Sequence, residues 1–87
     1  MVTVWKYPLT FEDRQVLDLP IGARVLHFGN QREVPCIWVE VVSECWETAQ
    51  RVFRLAGTEH DLGIEKREYV GSVIFAGGDL VFHLYEV

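Results

Sequence analysis

Residues 68–87, EYVGSVIFAGGDLVFHLYEV, decide the fold that this sequence predicts. Two runs rich in β-branched and aromatic residues flank Gly77 and Gly78. Glycine reaches positive φ without a Cβ clash, so a diglycine between two such runs is a strong hairpin signal. Each run is apolar on both alternating faces, which predicts a hairpin inside a sheet and covered on both sides. We therefore expect this hairpin to form the core of a small all-β domain.

Length and composition set the limits within which this hairpin must fold. A chain of 87 residues, of which 49% are hydrophobic, predicts one domain over residues 1–87. The net charge is −5, and from Glu44 onward eight acidic residues accompany four basic ones. This balance argues against a partner of duplex nucleic acid, because such binding neutralises many phosphates. Six of the eight basic residues are arginine, which suits a pocket for one small anion.

The sequence also indicates where the protein works. It has no segment with the charged start and apolar stretch of a signal peptide, and no apolar run long enough to cross a bilayer. We expect a cytoplasmic protein without a membrane partner. Its two cysteines, Cys36 and Cys45, are then free thiols, and buried apolar positions are their commonest environment.

Alternation of apolar and polar residues predicts further strands before the hairpin. Pro8 cannot donate to a ladder, so the first strand ends there or runs along an edge. Pro20 followed by Gly22 is typical of a type II turn. The predicted strands cover residues 2–9, 14–19, 23–28 and 34–42.

Residues 43–57 are ambiguous between helix and strand. Ser43 and Gly57 could cap a helix, which leaves a short helix near residues 43–50 open. Residues 51–56 also alternate as a strand does, and the neighbouring strands favour a turn followed by a strand. Together with a surface loop over residues 58–67, the pattern predicts a small antiparallel sandwich or partly closed barrel of six to seven strands.

The sequence offers no spacing typical of a metal site or a catalytic site. Cys36 and Cys45 lie nine residues apart, and the histidines stand singly at 27, 60 and 83. No serine has a nucleophile-elbow pattern, and no glycine-rich loop fits a phosphate-binding template. We expect no catalytic residue, no metal and no cofactor, and therefore a protein that is not an enzyme.

Two groups of residues are candidates for binding a ligand. Trp5, Lys6 and Tyr7 place an amine between two aromatic residues, a combination that suits a stacked base and its phosphate. The alternative is that both rings belong to the core while the lysine faces solvent. The second group follows a strand end, where small-ligand sites often lie, or forms an ordinary turn there. Its residues are Arg54, Thr58 and His60, and His83 in the terminal hairpin is either a ligand contact or a core histidine.

Several short motifs resemble a family of small uncharacterised proteins of tailed bacteriophages and prophages. Members often open with WKYPL and close on a strand that contains VFH. The motifs in this chain are WKYPL at residues 5–9, PIGA at 20–23, CIW at 36–38, GT at 57–58 with His60, YVGS at 69–72 and LVFH at 80–83. The resemblance implies a phage accessory protein in the cytoplasm of the bacterial host, and it implies no chemistry. It also implies a strand that runs into a GTGH-type turn, with Glu59 in place of the second glycine.

These observations lead to two functional hypotheses. The first is a non-enzymatic phage binding protein, in its specific form a counter-defence protein that sequesters a small anionic or nucleotide-like host signal. This form is expected to be a homo-oligomer. The alternative is a protein-interaction module that inhibits a host enzyme through its acidic surface.

Overall fold

The computed structural model describes residues 1–44 and 46–87, and this part of the chain forms seven β-strands and one short 3₁₀ turn. All pairings between neighbouring strands are antiparallel. The strands are β1 (Val2–Pro8), β2 (Arg14–Pro20), β3 (Arg24–Gln31), β4 (Val34–Val42), β5 (Thr48–Gly57), β6 (Glu68–Phe75) and β7 (Leu80–Glu86).

The strands form two separate sheets. One has three strands in the order β1-β4-β3, and the other has four in the order β2-β5-β7-β6. The all-β prediction is thus confirmed, and the architecture is a small sandwich rather than a closed barrel. Strands β3 and β6 adjoin at one side, where Asn30 Nδ2 donates to the carbonyl oxygen of Ile74 at 3.1 Å.

The core lies between the two sheets and follows the period of two. In β4, Ile37, Val39 and Val41 point inward and are almost completely buried. Phe53 and Leu55 of β5 face them from the four-stranded sheet, together with Leu84 of β7. Burial of these branched and aromatic side chains is the main favourable contribution to folding.

Residues 48–57 form strand β5, so the strand interpretation of the ambiguous segment is confirmed. Ser43 and Glu44 form a turn, and no helix covers the described residues between 43 and 50. Strand β5 lies between β2 and β7, with Val16 opposite Val52 on one side. Pairing on both sides therefore overrides the local helical pattern.

The Pro20–Ala23 turn has the geometry that its sequence predicts. Gly22 has φ of +82°, and the backbone N–H of Ala23 donates to the carbonyl oxygen of Pro20 at 3.0 Å. A positive φ at the third position is what a type II turn requires. This turn connects β2 of one sheet to β3 of the other.

The terminal hairpin forms as predicted, but one expectation about its surroundings is wrong. Phe75 pairs with Leu80 at its end, and Gly77 and Gly78 both have positive φ in the turn between them. The expectation that both faces are covered fails, because β6 is an edge strand and Ile74 is 60% exposed. Residues 1–44 and 46–87 form one other sheet, and that sheet covers the inner face of the hairpin alone.

The prediction of a buried free thiol is confirmed for Cys36, which is 1% exposed and not in a disulfide. Cys45 lies outside the described residues. No helix in the described part of the chain combines the length and the apolar character needed to cross a membrane.

Candidate functional site

A group of polar side chains surrounds His83 on the outer face of the four-stranded sheet. Strand register brings it together: His83 of β7 lies between Ala56 of β5 and Ser72 of β6. Directly paired residues point to the same face of a sheet, so Ser72 and His83 project outward side by side. Thr58 follows the end of β5 and reaches the same imidazole.

The side chains form a continuous hydrogen-bonded chain. His83 Nε2 lies 3.0 Å from Thr58 Oγ1, and His83 Nδ1 lies 2.6 Å from Ser72 Oγ. Ser72 Oγ lies a further 2.6 Å from the Tyr69 hydroxyl. In neutral imidazole one ring nitrogen donates and the other accepts, so the tautomer of His83 sets the direction of the bonds to Thr58 and Ser72. We call Thr58, Ser72, Tyr69 and His83 the His83 network.

Beside this network lies a depression of about 220 Å³. Thr58, His60, His83 and Tyr85 contribute side chains to its wall. The turn that carries Thr58 and His60 is closed by a hydrogen bond from the N–H of His60 to the carbonyl oxygen of Gly57. The structure therefore brings together Thr58, His60 and His83, three of the residues predicted to bind a ligand.

Glu59 in this turn has φ of +71°, in the left-handed region that favours glycine. This conformation explains why a glycine suits the position in a GTGH-type turn. The glutamate adds a negative charge next to the depression and keeps the same backbone turn.

Arg54, which was also predicted as a ligand contact, forms its hydrogen bonds with groups of the protein itself. Its guanidinium donates to both carboxylate oxygens of Asp13, at 3.0 and 2.8 Å, and to the carbonyl oxygen of Leu62 at 2.7 Å. The hydrogen bonds from Arg54 hold the pKa of Asp13 below its ordinary value, although partial burial opposes the shift. Arg54 is 9% exposed and anchors the loop over residues 58–67 to the sheet. Its role here is structural.

A second depression, of about 540 Å³, lies further along the same sheet, near the end of β7. Its wall carries Lys66, Arg67 and Glu68. It also carries the Arg51–Glu86 ion pair, in which Arg51 Nε lies 2.6 Å from Glu86 Oε2. The Arg67 guanidinium lies 5.5 Å from the centre of the Tyr85 ring, which also lines the first depression. The contact between Arg67 and Tyr85 thus links the two depressions.

Trp5, Lys6 and Tyr7 lie in the other sheet, away from the His83 network. Lys6 points to the outer face and donates to Gln31 Oε1 at 2.6 Å. Trp5 and Tyr7 point to the inner face, where burial raises the pKa of the Tyr7 hydroxyl. The amine and the two rings consequently lie on opposite faces of the sheet and do not surround one ligand.

Sequence reasoning missed Tyr69, Ser72, Tyr85, Lys66 and Arg67. A signal for Ser72 existed, because counting back from the diglycine turn places Ser72 opposite His83. Tyr69 and Tyr85 pair in the same hairpin, beyond a bulge that shifts the register between Tyr69 and Gly71. Lys66 and Arg67 had no signal, since their positions depend on how the 58–67 loop folds back onto the sheet. Within residues 1–44 and 46–87, no three His, Cys, Asp or Glu side chains are grouped closely enough to hold a metal ion.

Comparison with known proteins identifies one family. The family model of a domain of unknown function, DUF7352, matches residues 1–87. No curated protein and no solved structure matches the chain. Since the match covers the whole described domain, the chain belongs to the DUF7352 family of domains of unknown function.

Proposed function

We propose that the protein binds a small nucleotide-like anion on its four-stranded sheet, from the outer face at His83 to the end of β7, without transforming it. The observation that carries this proposal is the contact between Tyr85, which lines the polar depression, and Arg67, which lines the neighbouring one. A nucleotide has the same two parts, a polar ring and an anionic phosphate, joined over a short distance.

The depression beside the His83 network suits the ring. At about 220 Å³ it is smaller than the 300–1,000 Å³ typical of sites that enclose a whole drug-sized ligand. It offers the hydroxyl of Thr58 and the imidazoles of His60 and His83, which donate or accept hydrogen bonds according to tautomer. The Tyr85 ring adds an aromatic wall.

The neighbouring depression suits the phosphate. Lys66 makes no hydrogen bond or ion pair with the described part of the chain, and Arg67 lies over Tyr85. Arg67 is held in place by a hydrogen bond to the carbonyl oxygen of Glu65 at 2.8 Å. Arg51 and Glu86 pair with each other, so Lys66 and Arg67 outweigh Glu68, the remaining carboxylate of this depression. The local excess of positive charge attracts an anion despite the overall charge of −5.

The biological form of this proposal is a phage accessory protein of the host cytoplasm that removes a nucleotide-like signal of host defence. Its support is the resemblance of the WKYPL and LVFH motifs to phage proteins, together with the two depressions. Sequestering a nucleotide requires hydrogen-bonding groups, cations and an aromatic surface, and the residues of the two depressions supply these groups.

The test is a panel of cyclic and linear nucleotides, measured by thermal shift and by calorimetry. We expect at least one nucleotide to raise Tm, and the matching nucleoside to bind more weakly because it lacks phosphate. Thr58→Val should weaken binding of both, whereas Arg67→Gln should weaken only the nucleotide. Lys6→Gln, in the other sheet, is the matched control and should bind normally.

Absence of binding across the panel would overturn the proposal. Loss of binding in Lys6→Gln, with normal binding in Thr58→Val, would move the site to β1. The bound nucleotide should also be recovered chemically unchanged after long incubation. Its disappearance with wild-type protein, abolished by His83→Ala or His60→Ala, would instead identify a hydrolase.

A second candidate function has its own supporting observation. Met1, Val2, Ile21, Val42 and Trp46 are all more than half exposed and lie at one end of the sandwich. Glu47 and Glu44, whose carboxylate pairs with the Met1 ammonium, flank them, so acidic side chains lie at the rim of the apolar surface. Exposed apolar patches of this kind mark protein interaction sites. We propose it as the docking surface of the alternative function, inhibition of a host enzyme.

This alternative predicts a stoichiometric host protein in a pull-down, lost in Trp46→Ser and kept in Ile64→Ser. Ile64 is as exposed as Trp46 but lies in the 58–67 loop, so it controls for the loss of one exposed apolar side chain. A partner retained equally by both variants, or none at all, would count against this function.

A further inference from the structure

Strand β1 is an edge of the three-stranded sheet. It pairs with β4 on one side, and no strand of the described chain lies on its other side. Half of the backbone N–H and C=O groups of such a strand point away from the sheet. Unpaired groups of this kind are a template for a further strand.

Two hydrogen bonds at the ends of β1 show which of its backbone groups point away from β4. The N–H of Ser43 donates to the carbonyl oxygen of Met1 at 2.8 Å, and the N–H of Leu9 donates to that of Pro35 at 2.7 Å. Residues of an antiparallel ladder alternate between bonding their neighbour and pointing away from it. Odd-numbered residues therefore bond β4, while Val2, Val4 and Lys6 direct their backbone groups outward.

The side chains along this edge are mainly apolar. Val2 is 63% exposed, Val4 49% and Trp5 42%. Trp5 points towards the inner face, yet two-fifths of its surface stays in contact with water because it lies at the rim of the sandwich. A partner strand would cover all three residues.

We propose that β1 pairs antiparallel with β1 of a second copy of this chain, so that the two three-stranded sheets join into one. The register places Val4 on the two-fold axis. Val4 then exchanges both backbone hydrogen bonds with its symmetry mate, and Val2 of each copy does the same with Lys6 of the other. This contact is isologous and closed, as in most soluble homodimers. It does not depend on the proposed ligand.

The sequence of β1 fits this register. Pro8, which has no N–H, lies beyond the last pair, so its missing donor costs nothing. Lys6 is the only charged side chain of the strand, and it meets Val2 of the second copy rather than another cation. On the inner face, Trp5 of each copy lies opposite Thr3 of the other. No like charges face each other, which a stable cross-strand pairing requires.

The test is the mass in solution by light scattering across a concentration series, supported by amide hydrogen exchange. The wild type should reach about twice 10.1 kDa at high concentration. The amides of Val2, Val4 and Lys6 should become protected as the dimer forms. In a monomer only the odd-numbered amides of β1 are protected.

Two variants test the register. Val4→Pro removes an N–H that β4 does not use, and Val4→Lys places two like charges on the axis. Both variants should remain monomers with an unchanged circular dichroism spectrum. If Val4→Pro fails to fold, Val4→Lys alone tests the proposed register. Ile74→Lys adds the same charge at a 60% exposed position of the other sheet and should leave the dimer intact.

A wild-type monomer at every concentration would overturn the proposal. So would a dimer that survives Val4→Lys, or one that Ile74→Lys dissociates. Rapid exchange of the Val4 amide in a confirmed dimer would place the interface elsewhere and would equally exclude β1.

Discussion

His83 Nδ1 and Ser72 Oγ lie 2.6 Å apart, across the two strands of the terminal hairpin. The pairing of Ser72 with His83 in the β6–β7 ladder produces this contact, and Tyr69 and Thr58 extend it on either side. A histidine within an apolar run is thereby satisfied on both ring nitrogens. It points away from the core and towards the depression proposed to bind the ligand.

Ser72→Ala should lower the free energy of unfolding by about 1 kcal/mol, because the imidazole and the Tyr69 hydroxyl each lose a neutral partner. Urea denaturation measures the change. Ser72→Thr keeps the hydroxyl and suits a strand, so it should remain within about 0.5 kcal/mol of the wild type. Equal losses in the two variants would show that the hydroxyl is not what stabilises the hairpin.

Leu84→Ala should lower the free energy of unfolding by about 2–5 kcal/mol, because Leu84 is completely buried between the sheets and its removal leaves a cavity. For a domain of this size Tm should fall by about 10 °C or more. Ile74→Ala, on the neighbouring strand but 60% exposed, is the control and should change stability by less than about 1 kcal/mol. Similar effects at both positions would contradict the assignment of the inner face.

Gly22→Ala should destabilise the fold by about 1–2 kcal/mol, because an L-residue at φ of +82° brings its Cβ close to the following carbonyl oxygen. Gly57→Ala is the matched control, since a Cβ there meets nothing within 4 Å and φ is not positive. Its stability should be equal to or slightly above that of the wild type. Thermal unfolding distinguishes the two.

Asp13→Asn should lower stability at neutral pH, and the difference from the wild type should close in acid. Hydrogen bonds from Arg54 place the pKa of the folded Asp13 carboxyl below its ordinary value of 3.8, and the charges of Arg54, His60 and Arg14 act in the same direction. A group with a depressed folded pKa stabilises the native state above its unfolded pKa and loses that contribution as pH falls through the folded one. The difference in the free energy of unfolding between the wild type and Asp13→Asn should therefore be largest at pH 7 and should shrink below pH 3.8.

Urea midpoints at several pH values measure this gap. Asp79→Asn controls for the removal of one negative charge, because the Asp79 carboxylate makes no ion pair with the described residues. A gap between wild type and Asp13→Asn that is the same at all pH values would show that the amide fails for steric reasons rather than through loss of charge.

Much of the local structure follows from residue order. Alternation in residues 2–8 and 34–42 specifies which side chains share a face, because the side-chain period of a strand is two. Gly22, Gly77 and Gly78 mark turns because their backbone angles exclude most other residues. The choice of strand for residues 48–57 was harder, since the same residues also fit a helical stripe and only pairing with β2 and β7 decides.

By itself the sequence determined most of the strands, the turns at Gly22 and at the diglycine, and the alternation of faces in residues 2–8 and 34–42, all of which depend on neighbours a few residues apart. Only the tertiary structure decided that Arg54 is held by Asp13 and that Trp5, Lys6 and Tyr7 lie far from His83. It also left β6 and β1 as edges with exposed apolar side chains. Alternation of side chains with a period of two indicates which residues share a face of a strand. It does not indicate which strands become neighbours in a sheet. That order depends on pairing and packing between segments far apart in the chain, and it places Thr58, Ser72 and His83 in one site.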